Sequence, residues 1–137
     1  MSQRLEKQFH PPAPWAREIL SEAVTVKGPG TTVHLSGIGA EGPGEKLEIQ
    51  HPGDVYAQTK LAYEKAARAL SKHDAGLADV VKITAYLLDP GAVPEYLRAR
   101  KEAFGDLPAP AHTLLIILGL AHPDMQVEID VTAVTDA

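Results

Sequence analysis

Two residues carry the types and positions that could do chemistry. Glu128 lies in Val127–Val134, where Val127, Ile129 and Val131 alternate with Glu128, Asp130 and Thr132. Period-two alternation in Val- and Ile-rich sequence predicts a strand, so the carboxylate is aimed off the sheet at a defined point. A carboxylate with a raised pKa can take a proton from water and return it to a leaving amine. His112 stands at the mouth of a second apolar run, Leu114–Leu118, just after a Pro-Ala turn. Its ordinary pKa of ~6.5 lets an imidazole act as acid, base or hydrogen-bond donor near neutrality. The acid and the imidazole are candidate neighbours, and the Gly/Pro segment between the two runs would set their approach.

The rest of the chain must position them. The 137 residues, 45% apolar and 23% charged, are enough for one domain with one continuous core. We read residues 1–137 as that single domain, with 1–15 an irregular arm, because Pro11, Pro12 and Pro14 support neither helix nor ladder. Trp15 is assigned to packing. Ala23–Lys27 and Thr31–Ser36 read as strands joined by Gly28-Pro29-Gly30 into a hairpin. In the second of them Thr32, His34 and Ser36 share a face, and His34 is assigned to the core. Gly37–Lys46 has four glycines and a proline but no strand–GxGxxG–helix context, so it reads as a flexible loop. Leu47–Ile49 is a short strand candidate.

Asp54–His73 is the clearest helix, with Asp54 as N-cap and an apolar stripe through Val55, Ala62, Ala66, Ala69 and Leu70. Asp79–Asp89 is β-branched and reads as a central strand. Val93–Phe104 is a second helix with Pro94 in its first turn. The order predicts an α+β layer fold, one mixed sheet with both helices on one face. A neighbouring subunit is expected to cover the other face, which points to a closed oligomer.

Composition narrows the function. Acids outnumber bases 18 to 13, and no Lys/Arg cluster offers a nucleic-acid surface. There is no cysteine, which removes thiolate chemistry and fits a reducing compartment. The N-terminal MSQRLEKQFHPPAP has no apolar signal core, and no apolar run reaches the ~20 residues of a membrane span, so a cytoplasmic protein is expected. His112, His122, Asp124 and Glu128 lack any recognised ligand spacing, so no metal is assigned. Ser36 has no visible base and is assigned substrate hydrogen bonding rather than nucleophilic attack. Arg100, one helical turn from Tyr96, is a reserve anion clamp.

Several phrases in order resemble the RidA/YjgF/UK114 family of enamine/imine deaminases. They are Leu35-Ser36-Gly37, Asp54-Val55-x-Ala57-Gln58-Thr59, Ala75-Gly76, Asp79–Leu87 leading to Asp89, Phe104-Gly105, Pro110-Ala111-x-Thr113 and Val127-Glu128-Ile129-x-Val131. The resemblance runs from about Ala23 to Ala133. It implies a chorismate-mutase-like fold, a trimeric barrel and clefts between subunits. It also implies that Glu128 positions the hydrolytic water and that Ser36 and Gly37 line the cleft. The family's carboxylate-gripping arginine follows the Pro-Ala, where this chain has His112. Its first-strand tyrosine aligns with Leu20, and its asparagine falls near Gly91. The chain therefore reads as an arginine-lacking relative, with the acid kept and the clamp altered.

Two functions follow as expectations. The first is a cofactor-free, homotrimeric hydrolytic deaminase or ammonia-releasing lyase, with Glu128 as base then acid and His112 orienting a small-molecule substrate. The apolar run beginning at Leu114 would suit an aromatic ring. The second is a non-catalytic trimeric small-molecule-binding or chaperone-like module.

Overall fold

The computed structural model describes residues 4–137. Six strands and two helices follow in order: β1 (Glu6–His10), β2 (Ala23–Lys27), β3 (Thr31–His34), α1 (Val55–Ser71), β4 (Val80–Leu87), α2 (Val93–Phe104), β5 (Ala111–Ile116) and β6 (Val127–Thr135). They make a four-stranded mixed sheet, β3-β6-β4-β5, and a two-stranded β1-β2 ribbon. β6 runs antiparallel to both β3 and β4. β4 and β5 are parallel, and α2 is the crossover such a pair requires.

Alternation decides what faces the helices. On β6, Val127, Ile129, Val131 and Ala133 are buried while Glu128, Asp130 and Thr132 are half-buried on the other face. On β4, Ile83, Ala85 and Leu87 are buried beside them, and Lys82, Thr84 and Tyr86 point the other way. Both helices cover the apolar face. Ala62, Tyr63, Ala66 and Leu70 of α1 join Tyr96 and Phe104 of α2 in one core with these strands. Each large side chain removed from water there contributes about 1.5–3 kcal/mol. Asp54 caps α1 as expected, accepting from the Ala57 amide at 2.9 Å. Among the described residues no helix is long and apolar enough to cross a membrane.

Five expectations are corrected. Within the arm read as irregular, Glu6–His10 is a strand paired with β2 from Glu6↔Lys27 to His10↔Ala23; residues 1–3 of that arm lie outside the described residues. The prolines bar extension only after His10. β2 and β3 are consequently not a hairpin, since β2 pairs with β1 and β3 with β6. The driving difference is burial: Val33 on β3 reaches the core opposite Ala133, which a partner as exposed as β2 could not offer. His34, assigned to the core, is exposed, because Val33 takes the inward position. Trp15, assigned to packing, is 80% exposed on a short 3-10 turn. Leu47–Ile49 contributes only one isolated bridge, Glu41↔Ile49.

Candidate functional site

Glu128 stands where the sheet's open face meets an irregularity. The Leu35 amide donates to Val131 at 3.0 Å and the Ile38 amide to Ile129 at 2.9 Å. Three steps on one strand therefore span two on the other, a bulge at Ser36-Gly37 opposite Asp130. The bulge lays Gly37 directly against the Glu128 carboxylate: a Cβ on Gly37 would collide with Oε1 and lie 3.0 Å from Cδ. Glycine permits this close approach, since any side chain there would have to turn the carboxylate aside.

Glu128, Gly37, Tyr86 and Asp130, with Ile117, Gly119, Leu120 and Ala121 from the β5–β6 connection, line an open cleft of about 390 Å³. Tyr86 is paired with Glu128 across β4 and β6, and its hydroxyl donates to Asp130 Oδ2 at 2.7 Å. Burial, then the negative charges of Glu41 and Asp130, push the Glu128 carboxyl above the usual carboxylate range. Asp130 is occupied by Tyr86, whereas Glu128 makes no hydrogen bond among the described residues. The chemically free group is thus the one whose proton affinity is raised. Ser36 is exposed at the bulge next to Gly37.

His112 lies elsewhere. It is in register with Ile83, on the face that packs under the helices. Its Nε2 is 2.7 Å from the Tyr96 hydroxyl, which in turn lies 2.6 Å from the Tyr63 hydroxyl. Burial, then the charges of Arg100 and Lys82, lower its pKa to about 4, so the ring is neutral at pH 7. Arg100 is only 3% exposed. Its guanidinium donates to the Ile19 carbonyl and lies 5.5 Å over the Phe104 ring, leaving Nε without a partner. Leu20 follows Ile19 in the segment that Ser21 ties to β5, through the Ser21 amide to Pro110 at 3.1 Å and the Ser21 hydroxyl to Ala109 at 2.6 Å.

The candidate residues therefore fall into two groups. Glu128, Gly37 and Ser36 gather on the open face, and His112, Arg100 and Leu20 gather at the start of β5 on the helix side. The expectation that Glu128 and His112 are neighbours does not hold within one protomer: β4 separates their strands, and the pleat sends them to opposite faces. Leu114, expected beside a substrate ring, is in register with Ala85 and packs half-buried on the core. Arg100, expected as a reserve anion clamp, is a buried cation. Tyr86 and Asp130 were not singled out as site residues. The Lys82-Thr84-Tyr86 alternation in β4 and the Asp130 position two residues after Glu128 were the signals that could have found them. The Tyr63–Tyr96–His112 chain had no sequence signal, since it joins three separate elements. Among the described residues no three or more His, Cys, Asp or Glu side chains gather as metal ligands.

A two-helix α+β layer with a bulged strand beside a cleft glutamate defines a YjgF-type fold. Residues 11–135 match the family model described as Endoribonuclease L-PSP, and the chain belongs to that family. The resemblance drawn from the sequence phrases is thereby confirmed. A Rid-family protein of unknown function, YyfB from Yersinia pestis, is similar at 25% identity and TM-score 0.77, covering 93% of this chain and 97% of that one. A YjgF/YER057c/UK114 family member from Mycobacterium tuberculosis is 25% identical with TM-score 0.64, covering 93% and 98%. An uncharacterized Streptomyces coelicolor protein is 33% identical over 81 residues, 59% of this chain and 60% of that relative's length.

Proposed function

We propose that the protein is a cofactor-independent, cytoplasmic deaminase or ammonia-releasing lyase, acting on an imine, enamine or related nitrogen compound. The observation that carries this reading is the Glu128 carboxylate: without a hydrogen-bond partner among the described residues, raised in pKa and lying against Gly37 in a cleft. Ionised Glu128 removes a proton from water as the oxygen adds to the C=N carbon. Protonated Glu128 gives that proton to the nitrogen to form the neutral carbinolamine, then passes the carbinolamine hydroxyl proton to the same nitrogen as the C–N bond breaks, so that ammonia leaves a carbonyl product. Ser36, beside the cleft, supplies a hydroxyl to the substrate.

His112 enters through assembly. Because it and Glu128 face opposite ways in one protomer, a site using both takes one from each of two subunits of a homotrimer. The apolar, exposed Leu115, Ile116 and Leu118 at and beyond the edge strand β5 support a covered edge. His112, Leu20 and Arg100 would then form the far wall, where the family resemblance places its carboxylate clamp. An uncharged imidazole there favours aromatic or weakly polar substrates over amino-acid imines.

The test is ammonia release from freshly generated 2-aminoacrylate and from aromatic imines, comparing the protein with its His112→Arg variant. We expect the unmodified protein to act on aromatic imines and the variant to gain 2-aminoacrylate. No ammonia from either protein across the panel overturns the enzymatic reading and leaves the trimeric binding module, which a ligand-dependent melting shift with the same compounds would then reveal.

A further inference from the structure

Three side chains from three elements form an unbranched buried chain: Tyr63 of α1, Tyr96 of α2 and His112 of β5. The Tyr63 and Tyr96 hydroxyl oxygens are 2.6 Å apart, and Tyr96 lies 2.7 Å from His112 Nε2. Both tyrosines are 0% exposed. The geometry points to a one-way chain of hydrogen bonds that fixes His112 as the Nδ1–H tautomer, so that Tyr63 and Tyr96 are positioning residues for a neutral hydrogen-bond donor.

The direction follows from counting protons. Among the described residues the Tyr63 hydroxyl has one partner, Tyr96, so its proton has one place to go: Tyr63 donates and Tyr96 accepts. The Tyr96 proton cannot lie in the same contact, so it is donated to the only other partner, His112 Nε2. Nε2 is therefore an acceptor and carries no proton. A neutral imidazole then holds its proton on Nδ1. Run the other way, from His112 to Tyr96 to Tyr63, the chain would strand the Tyr63 proton in the core without an acceptor.

The surrounding charges agree. Arg100 and Lys82 are the cations that act on His112, and neither can accept a proton from a phenol. Both also oppose an imidazolium, which would need Tyr96 to accept from Nε2. His112 is half-buried rather than fully enclosed, and its Nδ1 makes no hydrogen bond among the described residues. A ligand that meets it must bring an acceptor atom, such as a carbonyl, carboxylate, nitro or phenolate oxygen. That last step rests on the proposed function; the tautomer does not.

The experiment is a long-range proton–nitrogen correlation spectrum of the ¹⁵N-histidine-labelled protein at pH 7, with His112 assigned by its loss in His112→Gln. We expect Nδ1 in the protonated range and Nε2 in the unprotonated range. A protonated Nε2, alone or with Nδ1, overturns the proposal. Tyr96→Phe should populate the Nε2–H form, and Tyr63→Phe, which frees Tyr96 to turn, should give a mixture of tautomers. An unchanged Nδ1–H pattern in both variants would also overturn it. Since no turnover is read, failure here and failure of the deaminase reading are separate results.

Discussion

The two faces of the central sheet treat their candidate groups in opposite ways. On the open face, Glu128 has no hydrogen-bond partner among the described residues, a glycine against its carboxylate and two acids in its field. Under the helices, His112 is tied into a phenol chain and surrounded by cations. Both environments favour the neutral form, first by burial and then by charge, negative near the acid and positive near the base. What differs is freedom. Glu128 can meet water or a reacting nitrogen without breaking a protein contact, whereas His112 is fixed in orientation. The first suits proton transfer, the second suits recognition.

Removing the free acid should have the largest effect. Glu128→Gln keeps the shape that Gly37 accommodates and removes the base, so ammonia release should fall by about 10²–10⁴-fold. The melting temperature should stay or rise slightly, because a strained charge is lost. In the unmodified protein the acid limb of kcat/KM should lie above the ordinary carboxylate range, since Glu128 must be ionised to accept a proton. A limb that persists unchanged in Glu128→Gln would assign the base elsewhere.

The His112 face should speak through stability. Its pKa falls from 6.5 to about 4 on folding, chiefly through burial and then through Arg100 and Lys82. A lowered folded pKa contributes stability that is present above pH 6.5 and is lost as the pH falls through about 4. The size is at most about 3 kcal/mol. Urea melts at pH 7, 5.5 and 4 should show this loss, and His112→Gln should flatten that window. Equal slopes in both proteins would mean that the imidazole titrates alike in the folded and unfolded states.

Gly37→Ala probes the contact that sets Glu128 in place. The added methyl meets Oε1, so either the carboxylate turns into the cleft or the bulge shifts. Because Oε1 is the far end of a half-buried side chain beside the open cleft, the carboxylate can turn aside, and the cost should stay within about 1 kcal/mol. In the double variant Gly37→Ala/Glu128→Ala the cost should largely vanish, because the obstructing carboxylate is gone. Additive costs in chemical denaturation would place the strain in the backbone instead.

These contrasts show what was legible beforehand. The β6 alternation was enough to aim Glu128 away from the core, and Asp54 and the alanine stripe were enough to bound α1. The two groupings were not legible, because they depend on strand order. Val127–Thr135 and Ala111–Ile116 are consecutive strands in the chain, yet β4 lies between them. Nothing local to either strand says so. β1 was hidden by the prolines that follow it, since its own five residues, EKQFH, are mostly polar and pair only with the equally exposed β2. Tyr86 was hidden by its apolar neighbours. DVVKITAYLLD reads first as a buried central strand, although Lys82, Thr84 and Tyr86 alternate with Ile83, Ala85 and Leu87 within it.

The smallest effect should be at Ser36, and it sharpens the contrast most finely. Ser36 is exposed on the bulge and has no hydrogen-bond partner among the described residues. Ser36→Ala should therefore change stability by under about 0.5 kcal/mol. If the hydroxyl binds substrate equally in ground and transition states, KM should rise several-fold with kcat unchanged. A fall in kcat at constant KM would instead make Ser36 part of the reacting geometry, giving the open face two working groups. No change in either would leave Glu128 alone there, with all substrate recognition falling to the wall that carries His112.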